Sequence, residues 1–424
     1  MTDEVGRLVL RHNYLQSGAI SMIEAHAPAM LAVHRRLIEL LEEEGMLNRD
    51  IEFLPNEEEL EERKANKKGL LRPEISVLVA YSKMALKERL LESGYLETDY
   101  LLSELEGYFP SALNKRFGKV FGEHRLKREI IGNQLVNNLV NRLGISFPFR
   151  MMDETGADVA AVIRNYRLAC KLYSAEAIWN EIESLDGLIS QATQLDMKME
   201  MRKLIERTMF WLQRNRSKAF ATEKVIEEFA PGIAKLSPRV LGLLHESEKI
   251  LVGEKSEQYR EDGVPEKLAE RIAVLTSQFA CLDIIAVKES SKRPLEYVAA
   301  VYFELGRQLR LGWLNGKVSK LPRGNFWQSL ARSAIRDDFH AECRTLTSDV
   351  LGGGVGSTSA EELVAGWCEQ NSLAVERYQK LIQRIEAGSG IELEKMAVVL
   401  KELHAIVLNE DDKQLSRAWG GNAD

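Results

Sequence analysis

"HRLKREIIGNQLVNNLVNRLG", residues 124–144, reads as a helix with two unlike faces. Leu126, Ile130, Ile131, Leu135, Leu139, Val140 and Leu143 recur at the three- and four-residue steps of an α-helix. Asn133, Asn137 and Asn141 form a second row at i, i+4 and i+8, with Gln134 and Asn138 beside it. Asparagine is a mediocre helix former because its side chain competes for the backbone, and surface helices ordinarily carry Glu, Lys and Arg instead. A face that both gives and takes hydrogen bonds suits polar contacts between helices, or a subunit interface that stays soluble when open. These five amides are therefore the candidate interface; a half-exposed polar face is the plainer alternative.

The same periodicity extends outward along the chain. In "RPEISVLVAYSKMALKERLL", Pro73 suits a first helical turn, and Ile75, Leu78, Val79, Leu86 and Leu90 follow on one stripe. In "EKLAERIAVLTSQFACLDIIAVKE", Leu268, Ile272, Leu275, Phe279 and Leu282 alternate steps of four and three, predicting a helix seamed against another helix. Asn56 with Glu59, and Ser359 with Glu362, have the spacing of reciprocal N-terminal caps. "NEEELEERKANKK" places acids before bases, matching the helix macrodipole, and reads as a solvated helix with Glu59 and Arg63 at i, i+4. No period-two strand bounded by turn residues stands out, so the expected fold is all-α, multi-helix bundles with short loops and no Rossmann domain. Breaks fall at 144–149, 291–294, 315–325, 351–359 and 387–390. The division they support is an N-terminal helical region, 1–148, and a C-terminal bundle, 149–424.

Composition narrows the function classes. The chain of 424 residues carries 57 basic and 64 acidic side chains, for a formal net charge of -7, so no general basic field invites nucleic acid or an anionic membrane. No apolar run approaches the roughly 20 residues of a membrane span, and the amino terminus lacks the order of a signal peptide; the cytoplasm is the expected compartment. The four cysteines are widely spaced, without a Cys-x-x-Cys pair, and suit reduced thiols used in packing.

Four stretches invite chemistry and lose it on inspection. "GGGVGS", from Gly352, replaces the third glycine of a phosphate-binding loop with Ser357 and has no strand before it. "IRDDFHAEC" collects Asp337, Asp338, His340 and Cys343, yet those offsets spread around one helix rather than converging on one metal ion. "MKMEMRKLIERTMFWLQRNR" sets Met197, Met201, Leu204, Thr208 and Trp211 beside Arg202, Arg207, Arg214 and Arg216, which reads as a core helix with paired or snorkelling arginines. "ELGRQLRLGW", with Arg307, Arg310 and Trp313, reads likewise. No residue of this chain is assigned a catalytic, cofactor-binding or metal-binding role.

"LLRPEISVLVAYSKMALKERLL", "HRLKREIIGNQLVNNLVNRLG", "ETGADVAAVIRNYRLA" and "FWLQRNR", in that order, resemble the carboxyl-terminal helical region of the large bacterial NAD-specific glutamate dehydrogenases. "MTDEVGRLVLRHNYLQ" resembles the segment just after their catalytic domain, so the resemblance spans residues 1–216, with weaker signatures beyond. It implies a parent enzyme that oxidatively deaminates L-glutamate to 2-oxoglutarate and ammonia, with NAD as its cofactor and none bound in this stretch. It further implies the upstream catalytic domain of the same chain as partner, a homo-oligomeric parent, and a packing, assembly or regulatory role here. A stand-alone all-helical interaction scaffold is the rival expectation.

Overall fold

The computed structural model describes residues 1–98, 101–216, 222–321, 326–353, 359–388 and 392–419, the side chains of Phe326 and 407–419 excepted. Every regular element among them is helical, as expected. The chain forms two compact units: residues 1–169 with 209–220, and residues 170–208 with 221–424. Residues 149–169, placed by the sequence division in its C-terminal part, fall within the first unit.

The first unit holds α1 (Thr2–Glu43), α2 (Glu57–Ala65), α3 (Arg72–Glu92), α4 (Leu102–Tyr108), α5 (Ser111–Phe117), α6 (Lys127–Leu143), α7 (Phe147–Thr155) and most of α8 (Val159–Leu172). Helix α6 is central, packing on α1, α3, α4 and α7. Its Ile131, Leu135, Leu139, Val140 and Leu143 are buried against the buried stripe Ile75, Leu78, Val79, Leu86 and Leu90 of α3 and its neighbours. Leu126 departs from the expected stripe: the helix begins one residue later and the leucine is exposed. Gly144, with φ of 80°, ends α6, and Pro148 sits in the first turn of α7, so the break expected over 144–149 is confined to its first residues.

Helix α2 is capped at Asn56 by the predicted box, but it is not simply solvated. Arg35 of α1 reaches Glu57 and Glu61 of α2 at 2.5 and 2.7 Å, and Arg49 grips Glu42 and Glu57. Arg63 makes a two-pronged pair with Glu74 of α3 at 2.6 and 2.8 Å, rather than with Glu59, whose carboxylate accepts from the Asn56 N–H. The acidic helix is thus held on its neighbours by planar guanidinium–carboxylate contacts, the ionic alternative to a free face.

The second unit continues with α9 (Ala175–Glu183), α10 (Gln191–Asn215) as far as Thr208, α11 (Thr222–Leu236), α12 (Val240–Leu243), α13 (Glu246–Glu261), α14 (Glu266–Val274), α15 (Ala280–Ser291) and α16 (Leu295–Gln308). It closes with α17 (Leu311–Val318), α18 (Phe326–Gly352), α19 (Ala360–Gln370), α20 (Ser372–Ala387) and α21 (Leu393–Trp419). The seam residues Leu268, Ile272, Leu275, Phe279 and Leu282 are all buried, but a tighter 3-10 turn over Leu275–Phe279 separates α14 from α15. Ser359 caps α19 with Glu362 as expected. The 315–325 break is shorter than its sequence indicated, since α17 runs to Val318; residues 322–325 lie outside the described set.

Candidate functional site

The amide row of α6 opens onto a cleft within the first unit. Asn133, Gln134, Asn137 and Asn141 line one side; His12, Asn13 and Gln16 of α1 and Tyr108 at the end of α4 complete it, around a volume of about 240 Å³. Spacing explains both walls. The amides recur every three or four residues, and His12, Asn13 and Gln16 lie within one turn and a little more of α1. Among the described residues that line it, not one side chain is a carboxylate, lysine or arginine.

Burial deepens along the row. Asn133 is exposed, Gln134 and Asn137 are half-buried, and Asn141 is 7% exposed. The Asn141 Oδ1 has no hydrogen-bond partner within the protein. A buried amide oxygen with no protein partner calls for a donor from whatever occupies the cleft. Asn138, the fifth candidate, is exposed and does not line the cleft; its backbone carbonyl accepts a 3.2 Å bond from the Tyr166 hydroxyl.

One cation bonds a residue of the wall. Lys83 of α3 donates to Gln16 Oε1 at 3.0 Å, and burial pushes its ammonium down to about 8. An ammonium can only donate, so this bond turns the Gln16 carbonyl to Lys83 and leaves the Gln16 NH₂ as the free donor. Sequence reading found the α6 half of the cleft and missed the α1 half, because residues 12–16 approach 133–141 only through tertiary packing. Lys83 carries no sequence signal of its own.

The other stretches resolve into structure. Met197, Met201, Leu204, Thr208 and Trp211 are buried, Arg202 pairs with Glu206 at 2.5 Å, and Arg207 donates to Ser319. Arg307 pairs with Glu304, and Arg310 makes two bonds to Glu386 while lying over the Trp313 ring. On α18, His340 Nδ1 lies 3.1 Å from Asp283 Oδ2 and Arg344 donates to Asp283 Oδ1 at 2.7 Å. Asp338 is exposed and Asp337 half-buried, so "IRDDFHAEC" does not converge. Among the described residues no group of three or more His, Cys, Asp or Glu is placed to hold a metal ion, and no helix is long and apolar enough to cross a membrane. Residues 354–358 of the glycine-rich stretch lie outside the described set.

A family profile described as "Glutamate dehydrogenase, C-terminal" matches residues 67–405, most of the chain. The chain belongs to this family. The glutamate dehydrogenase C-terminal match therefore extends well past the residue 216 at which the strongest sequence resemblance stops. Relatives include the NAD-specific glutamate dehydrogenases of Pseudomonas aeruginosa, 37% identical, and of Halomonas elongata, 34% identical, each over 403 residues. The enzyme of that name from Mycobacterium tuberculosis is 33% identical over 403 residues. Each alignment takes in 95% of this chain and 25% of the relative, so the chain spans about a quarter of the length of these dehydrogenases.

Proposed function

We propose that this glutamate dehydrogenase C-terminal chain is a non-catalytic helical part of an NAD-dependent enzyme that oxidatively deaminates L-glutamate to 2-oxoglutarate and ammonia in the cytoplasm. The observation that carries the reading is the family match along described residues whose regular elements are all helical. Hydride transfer to NAD is ordinarily served by a parallel sheet with a glycine-rich turn, a different architecture from this one. In this reading NAD is bound by the upstream catalytic domain, and this chain contributes packing, subunit assembly or regulation.

The exposed rim of the amide face, Asn133 and Asn138, is the proposed contact surface toward the upstream domain or a second subunit. Neutral amides make hydrogen bonds across an interface without the desolvation cost of burying charge, and they remain wettable when the interface is open. The test compares glutamate-dependent NAD reduction by the purified 424-residue chain with that of the intact source-cell polypeptide. Activity only in a polypeptide much larger than 48.0 kDa, recognised by an antibody to this chain, is the expected result. Turnover by the chain alone overturns the non-catalytic role, and a native polypeptide of the chain's own mass, separate from the activity, favours the stand-alone scaffold.

A further inference from the structure

We propose that the α6–α1 cleft binds an adenine-type nucleobase, a neutral planar heterocycle carrying an amine donor next to a ring-nitrogen acceptor. The inference goes beyond the reading above and rests on the cleft alone.

The lining excludes most ligand classes by charge. Of the eight described residues that line it, Asn13, Gln16, Asn133, Gln134, Asn137 and Asn141 are carboxamides, and His12 and Tyr108 bring aromatic rings. Among these described residues a free anion would find no guanidinium or ammonium, and a cation no carboxylate. A neutral ligand with its own donors and acceptors meets neither penalty. Side-chain amides present a donor and an acceptor in one plane, the complement of the amine and ring nitrogen on one edge of adenine. Histidine and tyrosine rings are surfaces on which such a base stacks.

Two atoms set the polarity. Asn141 Oδ1, buried and without a protein partner, requires a donor from whatever fills the cleft. Gln16, its carbonyl turned to Lys83, offers the opposite group at the exposed end of the cleft, an NH₂ able to donate to an acceptor. A carboxylate ligand supplies acceptors only and leaves Asn141 unsatisfied. An adenine edge supplies both. The cleft volume of about 240 Å³ exceeds that of a cavity of roughly 150 Å³ that holds a benzene ring, with room for a two-ring base.

The experiment is calorimetric titration of the 424-residue chain with adenosine and with purine riboside, which lacks the exocyclic amine. Saturable adenosine binding is expected, with purine riboside weaker by roughly tenfold or more, the range for losing one paired base contact. Asn141→Leu should weaken adenosine by a similar factor without a large fall in the thermal midpoint, because the oxygen it removes bonds no other protein group. Gln16→Ala, at an exposed position, should also weaken adenosine and serves as the second variant should Asn141→Leu misfold. No saturable adenosine binding, equal affinity for the two nucleosides, or adenosine affinity unchanged in both variants overturns the proposal.

Discussion

Asp283 shows how one residue can decide the integrity of a unit. Its carboxylate is fully buried on α15; burial pushes its pKa upward, yet hydrogen bonds and charge from His340 and then Arg344 hold it below the usual carboxylate range. The Tyr302 hydroxyl also donates to it at 3.4 Å, and Phe279 and Phe339 flank the His340 ring with centroids at 4.7 and 5.1 Å. A carboxyl whose folded pKa is depressed stabilises the fold above its unfolded value, about 3.9, and loses that contribution as pH falls through the folded value. Urea melts should therefore show the Asp283-dependent stability intact at neutral pH and declining below about pH 4. Asp283→Asn should cost about 3–5 kcal/mol at pH 7, since it leaves the Arg344 guanidinium without its buried counter-charge, and should flatten that acid decline. A loss under about 1 kcal/mol would mean the cluster is solvated in solution. His340 was visible in the sequence as a possible ligand, whereas its partner was not singled out. A lone Asp inside "ACLDIIAVK" is the signal that could have found it, because a carboxylate in an apolar helix face is tolerated only when paired.

At the scale of elements, most of the fold was legible because helices advertise themselves locally. The stripes of α3 and α6 and the caps at Asn56 and Ser359 depend on residues within a turn or two of one another, and the structure contains them. Two features escaped. The 3-10 turn at Leu275–Phe279 keeps the seam residues buried, so the hydrophobic pattern is the same whether or not the helix is broken. The close approach of Gly69 to α1 is also silent in sequence: a Cβ there would sit 2.3 Å from the Ala27 carbonyl carbon and 2.6 Å from the Pro28 nitrogen. Gly69→Ala should destabilise by about 1–3 kcal/mol, because backbone atoms cannot step aside as a flexible side chain can. Gly6→Ala in α1, where a Cβ meets nothing within 4 Å, should instead stabilise by about 0.5–1 kcal/mol. Chemical denaturation of both variants checks the pair, and equal effects would refute the packing argument.

At the scale of the whole molecule, the two proposals meet at Asn133, which lies on the exposed rim and in the cleft lining, whereas Asn138 lies on the rim alone. Asn133→Lys with Asn138→Lys puts two charges on the exposed rim, and the oligomer mass of the intact enzyme, measured by light scattering, should fall if that rim is an interface; an unchanged mass would leave it as solvent-exposed surface. The sequence by itself determined the all-helical class, the family resemblance and the amide-bearing helix, since each is written in spacings of a few residues or in contiguous motifs. Only the tertiary structure decided that four of the five amides face a cleft and that Asn138 does not. It alone brought His12, Asn13 and Gln16 opposite them, bonded Lys83 to Gln16, and joined Asp283 to His340 across 57 positions of sequence. The physical reason is the same in each case. Helical periodicity states which side of a helix is polar, but the partner of a polar side is selected by how helices far apart in the chain pack their apolar stripes together.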